Sequence, residues 1–531
     1  MSQHQAFRRS AVPQQIAQQL QTTTIPAPTR GIIMNENEAY MQPGGAVQCD
    51  NWKPTLRGVS LRGGCEEWCQ LPETTPVISS FEYATSSNHQ MFAANATKVY
   101  NVTTTSPVEI ANGRSSGNYV GSQMSNAGGD WLLVVNDAGD AVLRYNGTTW
   151  TVVSDITGMP AAGLSYVCKY RNRFFFIELN SMNAWYLPLN AISGALAMVP
   201  LSGAFTKGGK LLFCTVWSID AGDGTDDKLI FMTDLGEIVV FTGGDPSVAT
   251  NWRQEGRYTM SPPLGMNAHI AIGGDVLVLT VDGVLPVSGA ITKSRAELEL
   301  AAVSRTINQM WREQAVDKRE YPWTAFKWDE YGGIFVTLPG DPPGEHKCLV
   351  ANAATGAWCR FTGWDARCWL RLRGDAFFGT SDGRIMQMDR TGYDDGKPYV
   401  ATLVGGWEMF QSPSQTVTWR QARATFSAKS GEPFQPQLSA TVDYVVTLPP
   451  PPQPGIDPGL QDLWDEGLWD VALWDKDIPH PQSVRNTGWV SIGFTGYSHA
   501  PIVQVTVAQQ AKPAVDLISI AATFERDGVN V

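Results

Sequence analysis

Cysteine, histidine and charged side chains are scarce in this chain, and each shortage excludes a class of protein. The 531 residues include 8 cysteines and 6 histidines, and charged residues make up 17% of the total. So few, scattered cysteines predict buried thiols in a reducing cytoplasm rather than a disulfide-rich fold. No window of about 18 apolar residues occurs, which predicts that no helix spans a membrane. Residues 1–24 lack the apolar core of a secretory signal peptide.

The usual motifs of enzymes and metal sites are also missing. Cys65 and Cys69 have the spacing that begins a zinc site, but no second pair of ligands follows at a suitable distance. No phosphate-binding loop occurs, and no histidine stands in a nucleophile–base motif. We therefore predict no enzyme activity, no cofactor, no metal ion and no catalytic residues.

The acidic, glycine-rich loop at residues 220–228 is the one sequence feature that leaves a metal ion open. Its clustered carboxylates are the type of ligand that Ca²⁺ takes, but their spacing is not that of an EF-hand. A solvent-exposed turn is the favoured interpretation of this loop, and calcium binding is the alternative.

Glycine, proline and tryptophan are abundant, with 51, 33 and 19 copies. Between residues 75 and 400, pairs of apolar runs recur around turns that contain Asp and Gly. The clearest pairs occupy residues 131–145, 229–241, 276–287 and 376–388. Such turns are hairpin signals because glycine supplies the positive φ that a tight turn needs. Hairpins that recur about every 40 to 60 residues are typical of propeller blades. The pattern predicts a mainly β fold with a β-propeller of six to seven blades over residues 31–400.

Three segments depart from the hairpin pattern. Residues 1–30 are polar and Gln-rich, which predicts an extended N-terminal arm. Residues 292–317 contain no Gly or Pro, which favours a helix inserted in the propeller. The apolar residues of this segment form one helical stripe: Leu300, Val303, Ile307 and Met310. The longer alternating runs of residues 401–531 predict a C-terminal β-sandwich-like domain.

A proline-rich spacer and a threefold Leu-Trp-Asp repeat form a predicted arm at residues 447–478. The repeat spacing of five residues does not give one helical stripe, and odd spacing alternates faces in an extended segment. Three tryptophans so placed cannot all pack on one surface of their own subunit. Either each is pinned into the C-terminal domain by an irregular loop, or the arm docks onto a neighbouring subunit or a fibre. The predicted interface residues are Trp464, Trp469, Trp474, Trp311 and Trp52.

The charge balance restricts the possible relations with nucleic acid. The formal net charge is −12 at pH 7. A surface of this sign does not hold DNA phosphates by counterion release, and it repels a polyanion instead. Tight binding of nucleic acid through its phosphates is therefore not expected.

Four short stretches occur in an order shared with one family of viral proteins. Residues 25–64 hold a proline-rich lead and three elements: Met41, Pro43, Gly44 and Ala46, then Asn51, Trp52 and Pro54, then Arg62, Gly63 and Gly64. The other stretches are residues 301–311, 348–396 and 488–505. Together they resemble tail nozzle proteins (tail tubular protein B type) of short-tailed, podovirus-type bacteriophages, and the likeness spans most of the chain.

The resemblance implies a function in the virion. Proteins of this type form rings, typically hexamers, that continue the DNA channel below the portal-adaptor complex and help to retain and then eject the genome. It implies a homo-oligomer that contacts the portal-adaptor ring and tail fibre or spike proteins, with non-specific passage of double-stranded DNA. The expected location is the phage tail, after synthesis in the host bacterial cytoplasm.

Two other functions remain open for a propeller of this composition. A host-attachment or carbohydrate-binding protein would expose aromatic residues on one face of the blades. A glycoside hydrolase would need two facing carboxylates about 5 to 9 Å apart at the centre of the propeller.

Overall fold

The structure is a computed structural model that describes residues 20–159, 162–201, 203–218, 227–340, 345–410, 415–429, 432–455 and 483–526. Its N-terminal part consists of short strands and one 3-10 helix. These are β1 (Gln21–Pro26), the 3-10 helix Glu38–Tyr40, β2 (Ala46–Asp50), β3 (Trp52–Pro54), β4 (Val59–Leu61) and β5 (Cys65–Gln70). Most of them pair with strands from the far end of the chain.

Four consecutive antiparallel sheets follow, each formed by neighbouring strands of the sequence. Blade 1 contains β6 (Ser79–Ala84), β7 (His89–Ala94), β8 (Val99–Asn101) and β9 (Val108–Ala111); blade 2 contains β10 (Tyr119–Asn126), β11 (Gly129–Asn136), β12 (Leu143–Tyr145) and β13 (Trp150–Val152). A short strand, β14 (Ile156–Thr157), precedes blade 3, which contains β15 (Leu164–Tyr170), β16 (Arg173–Glu178) and β17 (Ala184–Tyr186). Next come β18 (Gly194–Ala195), which pairs with β14, and β19 (Ala197–Met198), which completes blade 3. Blade 4 contains β20 (Leu211–Trp217), β21 (Lys228–Thr233), β22 (Glu237–Thr242) and β23 (Arg253–Thr259).

Tight turns of the predicted kind join the strands within the blades. Gly236 has φ +75° between β21 and β22, and a Cβ atom there would lie 2.3 Å from the carbonyl oxygen of Met260. No other residue type combines this φ with so close an approach of the backbone. The apolar side chains of each blade pack against those of the next blade, so the blades bury one another.

Blade 5 has three strands and carries the helical insertion. Its strands are β24 (His269–Ile272), β25 (Asp275–Thr280) and β26 (Gly283–Pro286); the helices are α1 (Val287–Thr292), α2 (Arg295–Leu300), the 3-10 helix Arg305–Ile307 and α3 (Asn308–Asp317). The helical region is where the sequence placed it, but it is broken into pieces. The break occurs because Val303 donates its backbone N–H to Val284 and the hydroxyl of Ser304 accepts from the same residue, which holds residues 303–304 against β26.

Two further four-stranded units complete the propeller. The strands β27 (Ala325–Trp328), β28 (Gly333–Thr337), β29 (Lys347–Asn352) and β30 (Trp358–Thr362) form one unit, which continues into an eight-stranded sheet. The last blade contains β31 (Cys368–Leu372), β32 (Asp375–Gly379), β33 (Arg384–Met388) and, as its outer strand, β5 from the N-terminal part. Six blades are thus separate sheets, and β27–β30 form one end of the eight-stranded sheet. The predicted fold class, a mainly β protein with a propeller, is confirmed.

The C-terminal strands form two sheets that share one apolar core. They are β34 (Tyr399–Gly405), β35 (Val417–Ala428), β36 (Pro436–Val442), β37 (Ser483–Asn486), β38 (Val490–Gly496), β39 (His499–Val507) and β40 (Val515–Arg526). The seven-stranded sheet is centred on β40 and β35, and the eight-stranded sheet contains β34, β39 and β36. Buried side chains of both sheets, among them Phe426, Phe524 and Val505, belong to one cluster, which makes this part a sandwich.

The N-terminal strands pair with C-terminal strands, which differs from the domain boundaries expected from the sequence. β1 pairs along β40, from Gln21 opposite Phe524 to Pro26 opposite Ser519, so residues 21–26 of the expected arm form a strand of the sandwich. β2 pairs with β34, and β4 pairs with β40. Residues 1–19 lie outside the described residues.

His499 lies between the two sheets of the sandwich. Its side chain is buried, its Nε2 donates to the carbonyl oxygen of Val417 at 3.0 Å, and its ring packs against that of Phe410. Burial lowers the pKa of His499 to about 4, from an ordinary value of 6.5. Protonation of this ring is therefore costly in the folded protein and easy in the unfolded chain.

This difference predicts a loss of stability in acid. His499 contributes its full share of the unfolding free energy above pH 6.5, and that share falls as the pH drops towards 4, because the unfolded chain binds the proton first. The difference between a pKa of 6.5 in the unfolded chain and about 4 in the folded protein corresponds to about 3 kcal/mol of unfolding free energy. In His499→Gln, the urea midpoint should change less between pH 7 and pH 4. Burial also lowers the pKa of His269 to about 4, so the variant should retain part of the pH dependence of stability. An unchanged pH profile in His499→Gln would contradict the assignment.

Candidate functional site

The buried guanidinium of Arg62 marks the place where the propeller meets the sandwich. Its Nη1 and Nη2 donate to the two carboxylate oxygens of Asp394 at 2.8 and 2.5 Å. The rings of Trp364 and Tyr399 lie 4.7 and 4.0 Å from the guanidinium carbon. Burial by itself lowers the pKa of Arg62, but the carboxylate of Asp394 outweighs burial, and the pKa is raised above its ordinary value. Arg62 therefore stays charged inside the protein.

Asn51 completes this junction with four side-chain hydrogen bonds. Its Nδ2 donates to Thr362 Oγ1 at 2.8 Å and to the carbonyl oxygen of Val400 at 2.7 Å. Its Oδ1 accepts from Arg62 Nε at 2.8 Å and from the backbone N–H of Thr362 at 2.9 Å. Asn51 has φ +62°, a conformation that Asn tolerates better than most residues. One short turn thus ties the N-terminal strands to β30 and to β34.

The two glycines after Arg62 allow a close approach of two backbones. A Cβ atom on Gly63 would lie 2.3 Å from Asp389 Oδ1, and one on Gly64 would lie 1.9 Å from the carbonyl oxygen of Tyr393. Gly64 also donates its backbone N–H to the carbonyl oxygen of Thr391 at 2.6 Å. Only residues without a side chain fit at these positions.

The contacts around Arg62, which involve Asn51, Gly63, Gly64 and Asp394, are here called the Arg62 junction. This junction joins two of the stretches that carry the family resemblance. Asn51, Arg62, Gly63 and Gly64 come from residues 25–64, and Asp394 comes from residues 348–396. Their hydrogen bonds and contacts link the strands at the N-terminus to the end of the last blade. The shared motif elements at this junction have a structural role, which is to fix the sandwich on the propeller.

Two tryptophans that the sequence suggested as interface residues are core residues. Trp311 is fully buried, and its Nε1 donates to the carbonyl oxygen of Thr280 at 2.8 Å. Trp52 is fully buried in the same core. The prediction that Trp311 and Trp52 contact a partner was wrong, because no part of either side chain reaches the surface.

The Leu-Trp-Asp repeat, with Trp464, Trp469 and Trp474, lies outside the described residues, as do residues 220–226 of the acidic loop. The flanks of the repeat are described. Thr506 Oγ1 donates to the carbonyl oxygen of Pro452 at 2.5 Å, which ties the proline-rich spacer to β39. After the repeat, the described residues begin again at Ser483, the first residue of β37. Both flanks of the repeat therefore belong to the sandwich.

Next to Ser483 lies an exposed apolar surface, here called the edge surface. It consists of Val484, Trp489, Val490, Phe494 and Tyr497, which are between 37% and 67% exposed. On β38 the apolar residues Val490, Ile492 and Phe494 alternate with small or polar residues, and its residues up to Thr495 are exposed or half-buried. Among the described strands, β38 pairs only with β35, so its other edge has no partner strand there.

Sequence reasoning missed the edge surface, although the sequence holds a signal for it. A strand at the rim of a sandwich normally alternates apolar and polar residues. Residues 490–495 follow this alternation, and the departure is Trp489 directly before the strand, an apolar residue in the other alternating set. An edge strand of this kind is a ready template for contact with another chain.

A depression beside β3 is lined by charged groups whose pKa values are shifted by burial. Burial lowers the pKa of Lys53 to about 8, and its Nζ lies 3.5 Å from the ring centre of Tyr331. Burial raises the pKa of Asp389, whose carboxylate pairs with Lys512 and accepts from the backbone N–H of Gly63 at 3.1 Å. These groups are held by one another and by the backbone, as expected of an ionic network with a structural role.

Metal and membrane sites were sought in the part of the chain that the structure describes. Within it, no group of three or more His, Cys, Asp or Glu residues is placed to hold a metal ion. None of the helices in the described ranges combines the length and the apolar character needed to cross a bilayer.

No protein-family model and no curated protein matches the chain. Among solved structures, the extracellular domain of a hybrid two-component system from B. thetaiotaomicron is 10% identical, with a TM-score of 0.38, over 62% of this chain and 40% of that one. The computationally designed Ika8 protein is 12% identical, with a TM-score of 0.32, over 61% and 99%. BBS1N, solved in complex with ARL6DN, is 10% identical, with a TM-score of 0.38, over 63% and 98%. The matched region thus spans less than half of the first of these proteins, and similarity at this level carries no functional argument.

Proposed function

We propose that this chain is a structural protein of a bacteriophage tail and forms a nozzle ring that continues the DNA channel below the portal-adaptor complex. The ring is a homo-oligomer, by family resemblance a hexamer, and it contacts tail fibre or spike proteins. Its chemistry is that of a scaffold and not of an enzyme. The ordered motif stretches support the family, and two of those stretches meet at the Arg62 junction.

The observation that carries self-association is the edge surface. Phe494 is 42% exposed on an edge strand whose outer side has no partner among the described strands, and Trp489, directly before that strand, is 43% exposed. A soluble protein that left such an edge open would risk uncontrolled strand pairing. The occupant that we propose is a second copy of this chain.

Two features of the same sheet favour a second copy as the occupant. The sheet has another edge at β1, which pairs only with β40 among the described strands, so its two edges differ. Contact between different surfaces of identical subunits is heterologous, and it generates a ring when the rotation closes. In addition, the sequence holds three tryptophans between residues 456 and 482, and the described residue that follows this segment is Ser483 on β37, next to Val484 of the edge surface. A segment rich in tryptophan is suited to cover a neighbour's apolar surface.

The charge of the chain is compatible with a DNA conduit. A net charge of −12 repels double-stranded DNA, so the strand meets no series of phosphate contacts that would slow it. A wall of the same sign as the DNA keeps the strand away from the surface. Passage without sequence preference follows from this repulsion.

A charge on the edge surface tests the proposal. Phe494→Asp should leave the chain folded, since this side chain is 42% exposed, but it should shift the protein from the ring to the single chain. The reason is that a carboxylate buried at a subunit contact has no partner there. Mass photometry measures the distribution of masses, and circular dichroism checks the fold.

Val152→Asp is the matched control for Phe494→Asp. Val152 is 60% exposed on β13, the outer strand of blade 2, and lies outside the edge surface. This variant should assemble like the unmodified protein. If both variants form rings, the edge surface is not the contact. If the unmodified protein stays a single chain at all concentrations, the ring itself is rejected.

A further inference from the structure

Two cysteine thiols from neighbouring blades meet inside the propeller. Cys168 stands on β15 of blade 3 and Cys214 on β20 of blade 4. Their sulfur atoms are 2.9 Å apart. A disulfide bond has a length of about 2.05 Å, so an approach of less than about 1 Å would join them.

The surroundings hold these two strands in register. The hydroxyl of Tyr166 on β15 lies 3.2 Å from Nε2 of His269 on β24. The ring of Phe213 on β20 stacks on the ring of His269 at 4.2 Å between centres. Three neighbouring blades are therefore in contact next to the thiols, and this packing supports the close approach of the two sulfur atoms.

The two thiols differ in their access to solvent. Cys214 is fully buried, whereas Cys168 is half-buried. Burial raises the pKa of Cys214 well above its ordinary value. A dissolved oxidant can therefore reach Cys168 first, and Cys214 is shielded until its neighbour has reacted.

We propose that Cys168 and Cys214 form an inter-blade disulfide when the protein meets a small disulfide oxidant such as oxidised glutathione. The thiolate of Cys168 attacks one sulfur of the oxidant, and one glutathione thiolate leaves. The sulfur of Cys214 then attacks the sulfur of Cys168 and breaks the mixed disulfide, and the thiol proton of Cys214 passes to the second glutathione as it leaves. Two cysteine thiols are oxidised, and one oxidant molecule is reduced to two thiols.

The disulfide would be a covalent cross-link between blades 3 and 4. It would join residues 46 positions apart in the sequence, and it would stabilise the fold by lowering the conformational entropy of the unfolded chain. In a reducing cytoplasm the thiols stay free, and the cross-link forms only in an oxidising medium. The oxidised protein should melt about 5 °C above the reduced protein. This inference is independent of the proposed function.

The test is to incubate the folded protein with oxidised glutathione, block free thiols in denaturant and map the peptides by mass spectrometry. We expect the number of free thiols to fall by two from 8, with a linked peptide that contains both cysteines. Dithiothreitol should abolish the rise in melting temperature. Cys168→Ala and Cys214→Ala should each prevent the link, while Cys69→Ala, at a buried cysteine on β5, should keep it.

Two results would overturn the inference. One is glutathione attached to Cys168 without any link to Cys214. The other is unmodified protein that keeps all 8 thiols in the oxidant. Because the main measurement uses the unmodified protein, failure of a cysteine variant to fold does not remove the test.

Discussion

Arg62→Ala is expected to lower the free energy of unfolding by about 3 to 5 kcal/mol. The substitution removes both hydrogen bonds to Asp394, whose side chain is only 13% exposed, and leaves that carboxylate buried without its cation. It also removes donors to the carbonyl oxygens of Gly63 and Thr362, each at 3.0 Å. Urea denaturation followed by tryptophan fluorescence measures the change.

A surface ion pair provides the control for Arg62→Ala. Arg420 pairs with Glu525 at 2.6 Å, but its side chain is 50% exposed. Arg420→Ala should therefore change the free energy of unfolding by less than about 1 kcal/mol. If Arg62→Ala and Arg420→Ala lost similar amounts of unfolding free energy, the Arg62 junction would contribute no more to stability than a surface ion pair. Arg62→Lys should have a free energy of unfolding well below that of the unmodified protein, because one ammonium group cannot replace the two parallel hydrogen bonds.

Gly64→Ala is expected to destabilise the protein by about 3 kcal/mol. The added Cβ atom would lie 1.9 Å from the carbonyl oxygen of Tyr393 and 2.5 Å from its carbonyl carbon. These are backbone atoms, so no side-chain rotation relieves the clash, and the strands at the junction must move apart. The backbone hydrogen bond from Cys65 to Tyr393, at 3.0 Å, would be strained at the same time.

Gly488→Ala is the matched control for Gly64→Ala. A Cβ atom at Gly488 meets no atom within 4 Å, and this residue has no positive φ. The substitution should leave the unfolding midpoint unchanged or raise it slightly, since alanine restricts the unfolded chain. If Gly64→Ala behaved like Gly488→Ala, the close approach at Gly64 would be contradicted.

The propeller could be predicted because its signals are local. Each blade is built from strands that follow one another in the sequence, and the turns between them contain residues such as Gly236 that tolerate positive φ. The inserted helix was predicted as one piece and is broken. Periodicity did not reveal that Ser304 is buried and bonded to Val284 on β26, because that contact depends on the tertiary fold.

The pairing of the two chain ends was beyond the reach of local patterns. β1 pairs with β40 from Gln21 opposite Phe524, across almost the whole sequence. The polar run at residues 21–24 has no periodicity that marks a strand in a sheet. Its place is fixed by the free edge of β40, which forms only once the sandwich is assembled.

Tryptophans were the least informative residues for the site. Trp52 and Trp311 are core residues, whereas Trp489, which the sequence did not single out, is 43% exposed on the edge surface. Cores and interfaces both bury tryptophan, so the residue type does not separate them. The roles of Trp464, Trp469 and Trp474 remain predictions.

Electron microscopy of the purified 531-residue protein, alone and mixed with its tail partners, tests the nozzle proposal most directly. The proposal predicts closed rings of identical subunits with an open centre wide enough for double-stranded DNA. A uniform population of single chains that binds or cleaves glycans would contradict it.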